Sequence, residues 1–480
     1  MTALDLVVRG GTVVTASDSY RADVGIRGGR IVAVGEALTG AEVIDADGLL
    51  VLPGGIDAHV HLDQPTSDGT VMADDFASGT RSAAAGGNTT VLPFALQVRG
   101  QSVRACVEDY HRKAEGRCHT DVSFHLIISD PTPQVLGQEL PALVRDGYTS
   151  FKVFMTYDDL VLNDAQLLDV FEVARRERAL VMVHAEGHDA IRHLTRRLEA
   201  EGRAAPYYHG QAHAQIAERE ATHRAISHAQ LIDVPVVIVH VSGRDPMEQI
   251  QWARARGLRV HAETCPQYIV LTADDLRGLN MDFEGAKYVC SPPPRDADSQ
   301  AAIWQGLRDG TFDLFSSDHC PFRFEGPAGT GKDNPRARTS FRWVPNGIPG
   351  VETRLPILFS EGVSKGRITL QRFVALTSTN PARLYGLYPR KGSIAVGADA
   401  DLTLWDPTLT RRIRQADLNH GCDYTPYEGL EVTGWPVRTL LRGRTIALDG
   451  VPVSEPSGAY LPRGTSEAFA QAGQSPPSVP

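Results

Sequence analysis

No two of the six cysteines (Cys106, Cys118, Cys265, Cys290, Cys320 and Cys422) stand in a C-x-x-C pair, and they are scattered along the 480 residues. That spacing argues against a disulfide framework and a thiolate metal site, and fits reduced thiols in a large intracellular enzyme. Also lacking is any Lys/Arg-rich stretch. The 48 basic and 58 acidic residues are interspersed, for a formal net charge of −10. Surfaces that track phosphates need clustered cations, so nucleic acid is not an expected partner. No apolar run reaches membrane-spanning length, and "MTALDLVVRGGTVVTA" opens directly into an alternating strand pattern rather than a charged leader followed by an apolar one. The expectation is a cytoplasmic protein with no membrane partner.

A chain of this length suits a large barrel with an appendage. Residues 1–53 read as short strands with glycine turns ("LDLVVRGGTVV", "ADVGIRGGRIVAVG"), and the same texture returns over 392–463 in "GSIAVGADADLTLWD" and "VRTLLRGRTIALDG". Both ends are therefore expected to pair into one small β-sandwich interrupted by the middle zone, 54–391. Residues 464–480, small, polar and proline-containing, read as a flexible tail.

The middle zone holds eight short, mostly apolar runs: "GGIDAHVHL", "NTTVLPFAL", "DVSFHLII", "TSFKVFM", "ALVMVHAE", "VPVVIVHVS", "LRVHAETCP" and "DLFSSDH". Most are separated by segments of helical periodicity, the pattern of parallel strands buried on both faces. The expected class is α/β, a (β/α)8 TIM-like barrel, whose active site would lie at the C-terminal strand ends.

His59 and His61 in "GGIDAHVHLDQP" are one residue apart, so on a strand they face the same side. Taken alone they are either a metal-binding pair or two unrelated histidines near a turn. A single histidine capping an apolar strand is more often a hydrogen-bonded core residue than a ligand. However, "VMVHAEG" and "VIVHVSG" repeat the arrangement at His184 and His240, and Asp318 closes the eighth run, so all converge on one mouth. Lys152, within the fourth run, is the odd member: its stem could simply pack while the ammonium reaches solvent. Apolar surroundings would instead favour the free amine, which can add carbon dioxide to become an anionic carbamate able to bridge two metal ions.

Several long motifs arrive in the order of a known family: "GGIDAHVHLDQP", "DDFASGTRSAAAGGNTTVLPFA", "SFKVFMTY", "VMVHAEG", "VIVHVSG", "ETCPQY", "SPPPR", "SSDHCPF" and "NGIPGVETR". Over nearly the whole chain the sequence resembles the cyclic amidohydrolases, specifically the dihydropyrimidinase and hydantoinase branch. The resemblance implies two divalent metal ions, Zn2+ by preference, although such a donor set also accepts Mn, Co or Ni. His59, His61 and Asp318 would hold one ion, His184 and His240 the other, with carbamylated Lys152 bridging them. Asp318 would also shuttle the proton. Tyr157, five residues past Lys152, would donate to the developing oxyanion, and Ser291 and Asn346 would hold the imide or ureide edge of the substrate largely through backbone groups. The implied reaction opens dihydropyrimidines or 5-monosubstituted hydantoins to N-carbamoyl amino acids, and the implied assembly is a homotetramer.

Alternatives are an allantoinase, another cyclic imide hydrolase on the same scaffold, or a metal-free scaffold protein, although relatives of that last kind lack the ligands filled here. Two loops depart from the family pattern, "DQPTSDGT" after His61 and "DDLVLND" after Tyr157, both where the ring substituent would sit. Asp63 stands where the resembling dihydroorotases carry a carboxylate-binding arginine, so a ring carboxylate is expected to meet like charge. His125, His188, His261 and His319 are expected only to hydrogen-bond around the site, and Cys320 to pack.

Overall fold

The computed structural model describes residues 4–66 and 68–473. Eight parallel strands form the centre: Gly55–Val60, Asn88–Leu96, His125–Ile127, Ser150–Phe154, Leu180–His184, Val236–Ile238, Val260–Thr264 and Leu314–Phe315. They hydrogen-bond in sequence order, and a bridge from Val60 to His319 joins the last to the first. The eight apolar runs of the sequence are these strands.

Alternation along each strand sorts the side chains into two cores. Phe151, Val153, Val181 and Val183 face outward onto the helices, whereas Phe154, Leu180 and Met182 fill the barrel interior. Lys152 pairs with Met182, and Phe154 with His184, so Lys152 and His184 lie on the inward face, one rung apart. The flanking helices follow from local sequence. In Asp164–Glu177, Asn163 and Gln166 exchange side-chain and backbone hydrogen bonds at the N-terminus, and Leu167, Val170, Phe171 and Ala174 form the buried stripe. Among the described residues no helix is long and apolar enough to cross a membrane.

The chain ends meet in one continuous nine-stranded sheet. Leu402–Arg412 pairs antiparallel with Leu50–Pro53, tying the last part of the chain to the strand that precedes the barrel. Val8, Val24, Ile31, Val51, Leu402 and Leu440 share its core.

The expectation of a tail from residue 464 is corrected. Arg463 and Gly464 hydrogen-bond Gly147, Thr149, Phe124 and Gly386, three of which precede barrel strands. Ala468 joins the interior core with Ile56, Leu92 and Met182, and Phe469 is buried nearby. The segment closes the N-terminal end of the barrel, and Glu467–Gly473 forms a short 3-10 helix. Composition misled because docking here uses backbone hydrogen bonds and few apolar side chains. The rest of the expected tail, 474–480, lies outside the described residues.

Truncation after Arg463 is therefore expected to lower the melting temperature by several degrees, because deleting the buried Phe469 alone forfeits roughly 1.5–3 kcal/mol of burial. Scanning calorimetry of the shortened chain checks this. An unchanged transition would show that the segment contributes nothing to the fold.

Candidate metal centre and active site

At the C-terminal mouth, His59, His61, Lys152, His184, His240 and Asp318 come together from five strands. Asp318 Oδ1 lies 3.1 Å from His59 Nε2 and 3.4 Å from His61 Nε2. Ligand atoms of these three residues all fall within 4.8 Å of one another. Lys152 Nζ is 3.4 Å from His59 Nε2, and the His184 and His240 rings are 4.5 Å apart between centroids.

Three of the four histidines have one nitrogen held from behind. His59 Nδ1 hydrogen-bonds Glu263 Oε1 at 2.7 Å, His61 Nδ1 bonds Gln64 Oε1 at 2.8 Å, and His184 Nε2 bonds Glu186 Oε2 at 2.7 Å. Glu186 is itself braced by His213 at 2.9 Å. Such partners fix ring orientation and tautomer, and leave the opposite nitrogen for the mouth. His240 Nδ1 is buried without a partner.

Burial holds His59 and His240 well below the ordinary imidazole value and lowers His184, so all three are neutral with lone pairs available. Burial likewise lowers Lys152. Neutral imidazoles, one carboxylate and a lysine inclined to its amine form suit divalent ions of the N/O-binding type. Within the described residues, the donor set fits the metal site that the sequence implied.

Tyr157, His240 and Asp318 have φ of 72°, 40° and 49°. Left-handed backbone is uncommon outside glycine, and three instances at one mouth mark a site held under strain by its surroundings. Burial also keeps Tyr157 well above pKa 10, hence protonated. Ser291 Oγ lies 3.2 Å from His209 Nε2, while Asn346 Oδ1 is buried without a partner. Gly347 follows at φ 142°, where a Cβ would stand 2.4 Å from the Cys320 carbonyl oxygen. Only glycine lets this segment approach the one carrying Asp318 so closely.

Of the other sequence candidates, His319 is tied to Asp74 at 3.1 Å and accepts from Gly350 N–H at 3.0 Å, and His125 bonds Ser150 and the Ala58 carbonyl inside the barrel. His188 and His261 face Asp158 and Asp313, each at 3.5 Å; Asp313 precedes the eighth strand, so His261 belongs to the far end. Cys320 packs with its thiol 3.5 Å from the Asn346 carbonyl oxygen. Asp63 requires a correction. Its carboxylate lies 3.7 Å from Lys113 Nζ on the flanking helix Val103–Ala114, so its charge is compensated, and like-charge repulsion no longer carries the argument against a ring carboxylate. Glu263, Glu186 and His213 were missed, although an acid inside an apolar run ("HAETC") and one two residues past His184 were visible signals.

A model of the amidohydrolase family matches residues 50–446. The chain is 44% identical to a D-hydantoinase of Ralstonia pickettii over 463 residues, covering 96% of this chain and 99% of the relative. It is 46% identical to a D-hydantoinase of Geobacillus stearothermophilus over 462 residues, covering 95% and 96%. A crystal structure of dihydropyrimidinase from Brevibacillus agri NCHU1002 superposes with a TM-score of 0.92 at 44% identity, covering 96% of this chain and 99% of that one. Since the family model takes in the whole barrel and the relatives align over nearly the full chain, the chain belongs to the amidohydrolase family.

Proposed function

We propose that the protein hydrolyses the ring amide of 5-monosubstituted hydantoins and 5,6-dihydropyrimidines, giving N-carbamoyl amino acids. The observation that carries this reading is the convergence of His59, His61, Lys152, His184, His240 and Asp318 on one buried mouth, with unpartnered ring nitrogen to spare. His59, His61 and Asp318 would hold one divalent ion, His184 and His240 a second, and carbamylated Lys152 the space between; Zn2+ is the ion we favour. When bound, two such ions lower the pKa of water and polarise the scissile carbonyl.

The chain's own residues supply the rest. Asp318 takes the proton of the attacking water and returns it to the departing ring nitrogen. Tyr157, kept protonated by burial and with its ring 5.2 Å from that of His184, donates to the developing oxyanion, a role worth about 3 kcal/mol of transition-state binding. Ser291 and Asn346 hold the ureide edge largely through their backbone groups. The relatives' names favour the D-isomers of 5-substituted hydantoins. The same reading takes the working form as a cytoplasmic homotetramer, a compartment that keeps its unpaired cysteines reduced.

Parallel ring-opening assays of a 5-substituted hydantoin, dihydrouracil, allantoin and dihydroorotate test this. With no arginine at position 63 to receive a ring carboxylate, one of the first two is expected to exceed dihydroorotate in kcat/KM by at least about 10²-fold. Preference for dihydroorotate would overturn the reading, and turnover of allantoin alone would replace it with an allantoinase.

A further inference from the structure

The loop between the eighth strand and Asn346 carries a lysine with no solvent exposure. Lys332 is fully buried, and among the described residues no carboxylate lies within ion-pair distance of it. Its ammonium instead donates to two backbone carbonyls, Val289 at 2.9 Å and Pro345 at 2.8 Å. The Val289 carbonyl also accepts from Gly347 N–H at 3.1 Å, and Lys332's own N–H is anchored on the Arg323 carbonyl at 2.9 Å.

These contacts join three separate segments at one point. One ends two residues before Ser291, one immediately precedes Asn346, and the third is the stretch around Lys332, earlier in the same loop as Pro345. Burial pulls the amine down to about 8, so the cation is kept at some expense where an apolar side chain could fill the same volume. What an apolar side chain could not do is fix the direction of two carbonyl groups on neighbouring loops.

We propose that Lys332 is a positioning residue for substrate binding: it locks the Ser291 and Asn346 backbones against each other, setting the spacing of the groups that grip the ureide edge. This rests on the roles given above to Ser291 and Asn346. Because those residues act mainly through their backbones, changing their side chains would not remove the grip, whereas releasing Lys332 would loosen it. Lys332 touches neither the metal-binding group nor the reacting atoms, so the effect should fall on binding.

The test uses the full, metal-loaded chain carrying Lys332→Met, with a 5-substituted hydantoin and its N1-methyl derivative, which lacks one ureide N–H. Metal content and circular dichroism should match wild type, kcat should stay within about threefold, and KM for the parent should rise roughly 10-fold, the pattern of lost uniform binding. Preference for the parent over the methylated ring should shrink, and Lys332→Arg, which can still donate to both carbonyls, should recover part of it. If wild type shows no such preference, the ureide-edge assignment is wrong. If wild type shows it and Lys332→Met keeps both that preference and the wild-type KM, the positioning role is wrong. Should Lys332→Met fail to fold, Lys332→Gln, retaining one amide donor, carries the same comparison.

Discussion

Lys152→Ala is expected to lose most of the bound metal, with activity falling alongside it. Lys152 is fully buried on the inward face of the barrel, its amine 5.1 Å from the centroids of both Phe94 and Phe154 and 3.4 Å from His59 Nε2. An ammonium there would repel the cations that the surrounding histidines are arranged to bind. Burial disfavours that charged form and exposes the amine lone pair, which can attack carbon dioxide; an N–H proton leaves, and the neutral amine becomes a carboxylate-like carbamate anion. On the proposed reading, alanine takes away the carbamate anion and with it the charge balance of the metal site. Metal affinity should fall by more than the 10- to 100-fold, roughly, that loss of a mere supporting hydrogen-bond partner costs. Elemental analysis after extensive dialysis measures this without reference to turnover. A variant that kept the wild-type metal complement and near-normal rates would exclude the carbamate.

The barrel was legible because parallel strands buried on both faces leave continuous apolar runs, and because the polar exceptions in those runs all fall toward one end. His59, His184 and Lys152 stood out as polar groups in segments such as "LVMVH" and "SFKVF" that have no other reason to hold them. Two kinds of feature were hidden. Asp63 looked like a charge at the mouth, but its partner Lys113 comes from a helix fifty residues on, and spacing says nothing of such a pairing. The segment after Arg463 looked too polar to pack, yet the main chain of its first residue, Gly464, is held by the Thr149 hydroxyl and the Gly386 carbonyl. Composition scores side chains and is blind to main-chain hydrogen bonds. Glu263 falls between these cases. Its burial in a strand was readable, whereas its bond to His59, 204 residues away, was not.

Asp318→Asn is expected to leave the fold intact and reduce kcat by roughly 10² or more, the usual scale for removing a group that takes and returns a proton in the transition state. The substitution is mild structurally. Asparagine tolerates left-handed backbone as well as aspartate does, so φ 49° at this position is no obstacle. Its neighbours are anchored independently: Ser317 N–H donates to Asp57 at 3.1 Å, and Cys320 N–H to the Ile348 carbonyl at 3.1 Å. The amide keeps an oxygen where Asp318 Oδ1 faces His59 and His61, but it cannot accept a proton in the working pH range. His319, next along the chain, cannot take over, because one ring nitrogen is committed to Asp74 and the other to Gly350 N–H. Stopped-flow or steady-state kcat should be measured on the same sample as metal content and circular dichroism. A collapsed rate with full metal content isolates the proton transfer as Asp318's contribution. A collapse that merely tracks metal loss would assign the residue to ligation alone, and retention of most activity would mean that the proton moves through a different group.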